Sequence, residues 1–158
     1  MHDAQTKVAE FHRAFGLLAG ERPALLDCLP KPAVAAAGEV RRLADRCRQT
    51  GESRDGLCAR LALALEELAE WAEAHAAGDL VAAADAWGDR AYVLLGDAVA
   101  AGLPAEAIFA EVHRSNMTKT AAKNVSGKPA KGDRFEPPQL KAFVHSTAPT
   151  TRHVGQNL

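Results

Sequence analysis

Aromatic side chains are scarce in this sequence: one tyrosine, two tryptophans and five phenylalanines make up 5% of 158 residues. Hydrophobic residues are nonetheless 47% of the chain, many of them alanine, a balance that argues against a sheet core and for closely packed helices. Cysteine is scarce too. Cys28, Cys47 and Cys58 are odd in number and show neither a CxxC pair nor a Cys/His ligand spacing. That sets aside a disulfide framework and a zinc site, and gives these thiols no role. No run approaches the ~18 apolar residues of a membrane span, and the start MHDAQTKVAE lacks a signal-peptide pattern. A cytoplasmic protein with no membrane partner is expected.

Net charge is nearly absent as well, at −1, but its distribution is uneven. From His113 onward there are eight Lys/Arg against two acids, a local +6 that leaves −7 for the rest. An acidic body with a basic C-terminal arm suits either nucleic acid, bound through the arm, or a ligand that carries cations and phosphates together. The length predicts one domain with a tail: an all-α domain over 1–123 and an irregular basic arm over 124–158.

What is present is concentrated between Leu57 and Ala101, which reads as two long helices folded back on each other. Gly78-Asp79 supplies a stop followed by an N-cap. The first arm carries Glu66, Glu67 and Glu70 on one face, the second Asp85 and Asp89. Glu67 lies eleven positions before the turn and Asp89 eleven after it; Glu70 and Asp85 lie eight before and seven after. The two patches therefore sit at matching heights. Facing carboxylates repel unless they point to water or hold cations, and oxygen ligands without His or Cys suit Mg²⁺ or Mn²⁺. A solvated outer face is the other reading of the same spacing, and Glu73 is read as such a surface charge.

Around the hairpin, the periodicity predicts a helix from Ala4 to Phe15 capped by Asp3, with Val8, Phe11 and Phe15 inward. Leu25 to Pro32 is expected to be a connector. A helix from Ala33 to Arg48 follows, with Val40, Leu43 and Cys47 inward, then a loop from Thr50 to Gly56. In the hairpin, Leu57, Leu61, Leu65, Leu68 and Ala72 are the expected buried stripe of one arm, and Val81, Trp87, Tyr92, Leu95 and Val99 the apolar mass of the other. Gly102-Leu103-Pro104 punctuates the chain before a last helix from Ala105 to Thr120, with Ile108, Phe109 and Val112 inward.

The runs FHRAFG and ERP, the EELAE block (Glu66–Glu70), GDLVAAADAWGDRAYV (Gly78–Val93) and IFAEVHRSNMTK (Ile108–Lys119) followed by SGKPAKG resemble the MazG/HisE-like all-α nucleoside triphosphate pyrophosphohydrolases. The likeness is to the single-domain branch related to dimeric dUTPases and phosphoribosyl-ATP pyrophosphohydrolase. It implies a helical bundle built on the antiparallel hairpin, and hydrolysis of a nucleoside triphosphate to the monophosphate and pyrophosphate. It also implies Mg²⁺ (or Mn²⁺) held by an ExxE and an ExxD motif. Glu67 and Glu70 match the first motif, and Asp89 matches the end of the second. Ala86 stands where that second motif asks for an acid, and Asp85, about 40° around the helix from Asp89 on the other side, is the expected substitute. Glu66 or Glu67 is expected to take the attacking water's proton.

Arg114, Asn116, Lys119, Lys128 and Lys131 resemble the family's phosphate-contacting positions. The resemblance further implies a homodimer or homotetramer, while nucleic acid is not an expected partner. For the substrate, dGTP or GTP is placed ahead of dUTP, because the extra segment from Leu25 to Gly56 alters the region a compact uracil pocket would use. The competing class is a non-enzymatic helical module that binds nucleotide or nucleic acid without hydrolysis.

Overall fold

A computed structural model describes residues 1–50, 56–123 and 127–144. Residues 51–55 of the expected loop, and 124–126 and 145–158 of the expected arm, lie outside the described residues. The chain is all-α, with one small strand pair. Its elements in order are α1 (His2–Ala14), α2 (Pro30–Thr50), α3 (Gly56–Ala77), α4 (Leu80–Ala101), α5 (Ala105–Met117), β1 (Thr120–Lys123), β2 (Pro129–Ala130) and α6 (Lys141–Val144). Two compact units emerge, Leu18–Gly102 and the combination of Met1–Leu17 with the chain from Leu103 on. Among the described residues no single helix is long and apolar enough to cross a membrane.

The unit from Leu18 to Gly102 holds α2 packed on α3 and α3 packed on α4. Its turn is the one the sequence predicts. Gly78 takes φ 74°, the left-handed conformation that costs glycine least, while the N–H groups of Gly78 and Asp79 donate to the carbonyls of His75 and Ala74. Asp79 caps α4, its Oδ1 accepting from the N–H groups of Val81 and Ala82, each at 3.0 Å. Asp79→Ala is expected to cost about 1 kcal/mol, read as a lower urea midpoint at unchanged slope.

The core of this unit is a seam of small side chains. The buried apolar residues are Ala37 and Ala44 of α2, Ala62, Ala69 and Ala74 of α3, and Ala83 and Ala86 of α4. Methyl groups at the contact let the helix backbones approach closely, and the larger side chains are displaced to the flanks. Leu43, Leu57 and Leu61, expected inside, are exposed. So are Val81, Trp87, Tyr92, Leu95 and Val99 of α4, and all of these but Trp87 share an outward apolar face instead of the predicted core. The α3–α4 pair is also clamped by Arg60, whose Nε donates to Asp97 Oδ1 at 2.6 Å and whose Nη2 donates to the Val93 carbonyl at 2.5 Å. Gly96 leaves the room for it, since a Cβ there would lie 2.6 Å from Nη2.

Helix α2 starts three residues before the predicted Ala33. Pro30 and Pro32 fall in its first turn, where a missing N–H leaves no intrahelical bond unmade, so they begin the helix rather than end a connector.

In the other unit α1 packs against α5. Met1, not Asp3, is the N-cap of α1. Asp3 lies in the first turn and pairs with Lys7 one turn on, a hydrogen bond that holds its carboxyl below the usual range. Phe11 and Phe15 face each other with ring centroids 4.6 Å apart and Phe15 is buried, but Val8 and Phe109, expected inward, are exposed. Helix α5 ends at Met117 rather than Thr120, because Thr120 opens β1, which pairs antiparallel with β2. The expected irregular arm thus contains a strand and a short helix among its described residues.

Candidate functional site

The period of α3 brings Glu66, Glu67, Glu70 and Glu73 toward its neighbours on both sides. Glu67 is the centre of the group. Its Oε2 is shielded from solvent and has no hydrogen-bond partner among the described residues. Burial raises its pKa above the ordinary 4.5, and the nearby charges of Glu70, Asp89, Glu66 and Asp85 push it further the same way. Carboxylates from both arms of the hairpin therefore act on one another, as their matching distances from Gly78 require.

The other side of α3 is met by α2 with arginines. Arg41 grips Glu73 with both ends of one guanidinium edge, Nε to Oε1 at 2.7 Å and Nη2 to Oε2 at 2.6 Å, and its Nη2 lies 3.8 Å from Glu70. Glu73 is thus a half-buried ion-pair partner rather than a plain surface charge, with a carboxyl held below its ordinary range by the hydrogen bond from Arg41. Arg48 reaches Glu66 at 2.6 Å and Asp45 at 2.8 Å. These arginines were not singled out from the sequence, although a signal exists. Arg41 and Arg48 are seven apart, as are Glu66 and Glu73, and antiparallel helices pair the first with the last.

A cleft of about 430 Å³ opens beside this group, lined by Arg41, Glu70, Glu73, Asp79, Asp85 and Ala86 among others. Ala86 is 4% exposed, so the position of the missing acid is part of the alanine seam, whereas Asp85 is exposed and close enough to act on Glu67. Asp89 is exposed too. Among the described residues no three Asp, Glu, His or Cys side chains converge on one point as a finished metal site. The donor set fits a hard divalent cation all the same. It is all oxygen, comes from two facing helices, and includes in Glu67 a shielded oxygen that nothing satisfies.

The predicted phosphate-binding residues lie in the other unit and differ among themselves. Arg114 is spent on its surroundings: Nε and Nη2 donate to Glu111 at 2.8 and 2.9 Å, Nη1 to Glu136 at 2.7 Å. Glu111 also accepts from the Gln139 N–H at 2.7 Å, and these bonds hold its carboxyl down to about 2. Together with the Ser115 hydroxyl donating to the Glu136 carbonyl at 2.7 Å, they clasp the segment around Glu136 to the end of α5. Asn116 and Lys119 are half-buried, with Lys119 Nζ 5.8 Å from the centre of the Phe11 ring. Lys128 and Lys131 are exposed, and Lys131 sits 4.9 Å over Phe135. His113 faces Glu10 at 3.3 Å.

Residues 46–116 match the sequence profile of the phosphoribosyl-ATP pyrophosphohydrolase family. The matched stretch carries the acids of α3 and α4 together with Arg114 and Asn116, and excludes Arg41 and the lysines beyond α5. No curated protein and no solved structure matches the chain.

Proposed function

We propose that this chain, whose residues 46–116 match the phosphoribosyl-ATP pyrophosphohydrolase family, cleaves nucleoside triphosphates between the α- and β-phosphates. The products are a nucleoside monophosphate and pyrophosphate. The observation that carries the reading is Glu67, a carboxylate with one shielded oxygen that has no partner among the described residues, close enough to the acids of the opposing helix to feel their charge.

Glu67, Glu70, Asp85 and Asp89 are the residues proposed to hold Mg²⁺ or Mn²⁺. Such an ion neutralises phosphate charge and lowers the pKa of the attacking water. Of the two candidates for accepting that water's proton, Glu66 is engaged by Arg48. Glu67 has no ion-pair partner among the described residues and a raised pKa, nearer the value a base needs at neutral pH. Asn116, Lys119, Lys128 and Lys131 are proposed phosphate contacts, while Arg114, already committed to Glu111 and Glu136, shapes the segment that carries the lysines. A second copy of the chain is proposed to cover the outward apolar face of α4.

The test is a panel of ribo- and deoxynucleoside triphosphates with Mg²⁺, scored for monophosphate and pyrophosphate and repeated with EDTA. Metal-dependent pyrophosphate release, fastest for dGTP or GTP, is the expected result. Preferential dUTP cleavage would reverse the substrate order. Salt-sensitive retention of RNA or DNA with no hydrolysis would replace the enzyme by a binding module.

A further inference from the structure

We infer that Arg41, held in place by Glu73, is a phosphate-binding residue of the cleft between α2, α3 and α4. The inference rests on the reaction proposed above and adds a residue that lies outside the matched segment.

Arg41 is the cation among the residues lining that cleft. Its neighbours there divide by what already occupies them. Asp79 is engaged as the cap of α4 and Glu73 by Arg41 itself. Glu70, whose one ion pair among the described residues is the 3.8 Å approach of Arg41 Nη2, and Asp85 are two of the proposed cation ligands. The same cleft thus offers carboxylates for a divalent ion and a guanidinium for the anion that such an ion would accompany.

The guanidinium is also prepared for the task. Glu73 takes the Nε and Nη2 edge in a two-point grip, which fixes the plane of the group, while Nη1 makes no hydrogen bond among the described residues. A planar cation held by one edge presents its other donors without the rotamer entropy that a free side chain would lose on binding. Glu73 is then a positioning residue, acting only through Arg41.

The experiment uses the full chain and two probes measured by calorimetry, Mn²⁺ alone and inorganic pyrophosphate with Mg²⁺. Loss of one charge-assisted hydrogen bond to phosphate is expected to weaken pyrophosphate binding roughly tenfold or more in Arg41→Gln, with Mn²⁺ affinity not weakened, since the arginine lies 3.8 Å from Glu70. Arg41→Lys keeps the charge without the fork and is expected to fall between, and Glu73→Gln, which frees Arg41 to wander, should also weaken pyrophosphate while sparing Mn²⁺. Should Arg41→Gln not fold, Arg41→Lys and Glu73→Gln carry the same contrast.

Undiminished pyrophosphate binding in these variants would overturn the inference and leave the proposed reaction standing. Equal weakening of Mn²⁺ and pyrophosphate binding in Arg41→Gln would overturn it too, by showing that the variant disturbs the cleft as a whole. A wild-type protein that binds neither probe would sink both this inference and the proposed function.

Discussion

Glu67→Gln is expected to reduce pyrophosphate release at least about a hundredfold and, in the same protein, to raise the melting temperature of the metal-free form. The two effects have one cause. Glu67 is held among Glu66, Glu70, Asp85 and Asp89 with an oxygen that nothing satisfies, an arrangement that is useful to a bound cation and unfavourable without one. The amide removes the charge at nearly constant shape. Each kcal/mol of relieved repulsion is worth on the order of 2–4 °C in a chain of this size.

The pH dependence follows from the direction of the shift. The folded carboxyl binds its proton more readily than the unfolded one, whose value is near 4.5. Stability contributed by that proton is complete below 4.5 and is lost as pH rises through the raised folded value. In EDTA, wild type should therefore lose melting temperature relative to Glu67→Gln between the ordinary carboxylate range and neutrality. Adding Mn²⁺ should restore it in wild type alone. Parallel melting curves for the two proteins across that range would show that the acids do not strain the fold.

A pair of lysines on α4, Tyr92→Lys with Val99→Lys, is expected to halve the mass of the particle seen in sedimentation. Val81, Tyr92 and Val99 are each about four-fifths exposed. Spacings of eleven and seven residues keep them within about 20° of one another along some 27 Å of helix. Leu95, about 40° away and also exposed, widens the stripe. An isolated chain rarely leaves so long an apolar face to water. Burying one such side chain contributes about 1.5–3 kcal/mol, so two lysines placed there should weaken association roughly a hundredfold or more. Wild-type protein that sediments as a single chain at every concentration would remove the proposed interface.

The hairpin was legible in the sequence because its signals are local. Gly78 and Asp79 act through their own backbone and side chain, and counting outward from them places Glu67 opposite Asp89. The core was much less legible. Hydrophobic periodicity gives weight to large side chains, so it chose Leu57, Leu61 and Val81, whereas the helices meet on Ala62, Ala69 and Ala83. The apolar side chains of α4 show the same spacing whether the helix faces its own chain or a partner, and sequence alone does not separate the two. Asp3 was misplaced for a smaller reason, since an aspartate suits both the cap and the first turn. The role of Glu73 depended on Arg41, thirty-two residues away, and pairings between helices become visible only once their order and direction are fixed.

The methyl seam between α3 and α4 also sets a gauge. Ala83 and Ala86 of α4 are nearly enclosed where that helix packs on α3, so backbone separation there is dictated by the smallest side chain that still fills the gap. The gap between opposing carboxylates is inherited from that separation. A bulkier residue at Ala83 would prise α3 and α4 apart and change the ionic radius that the proposed cation site could close upon.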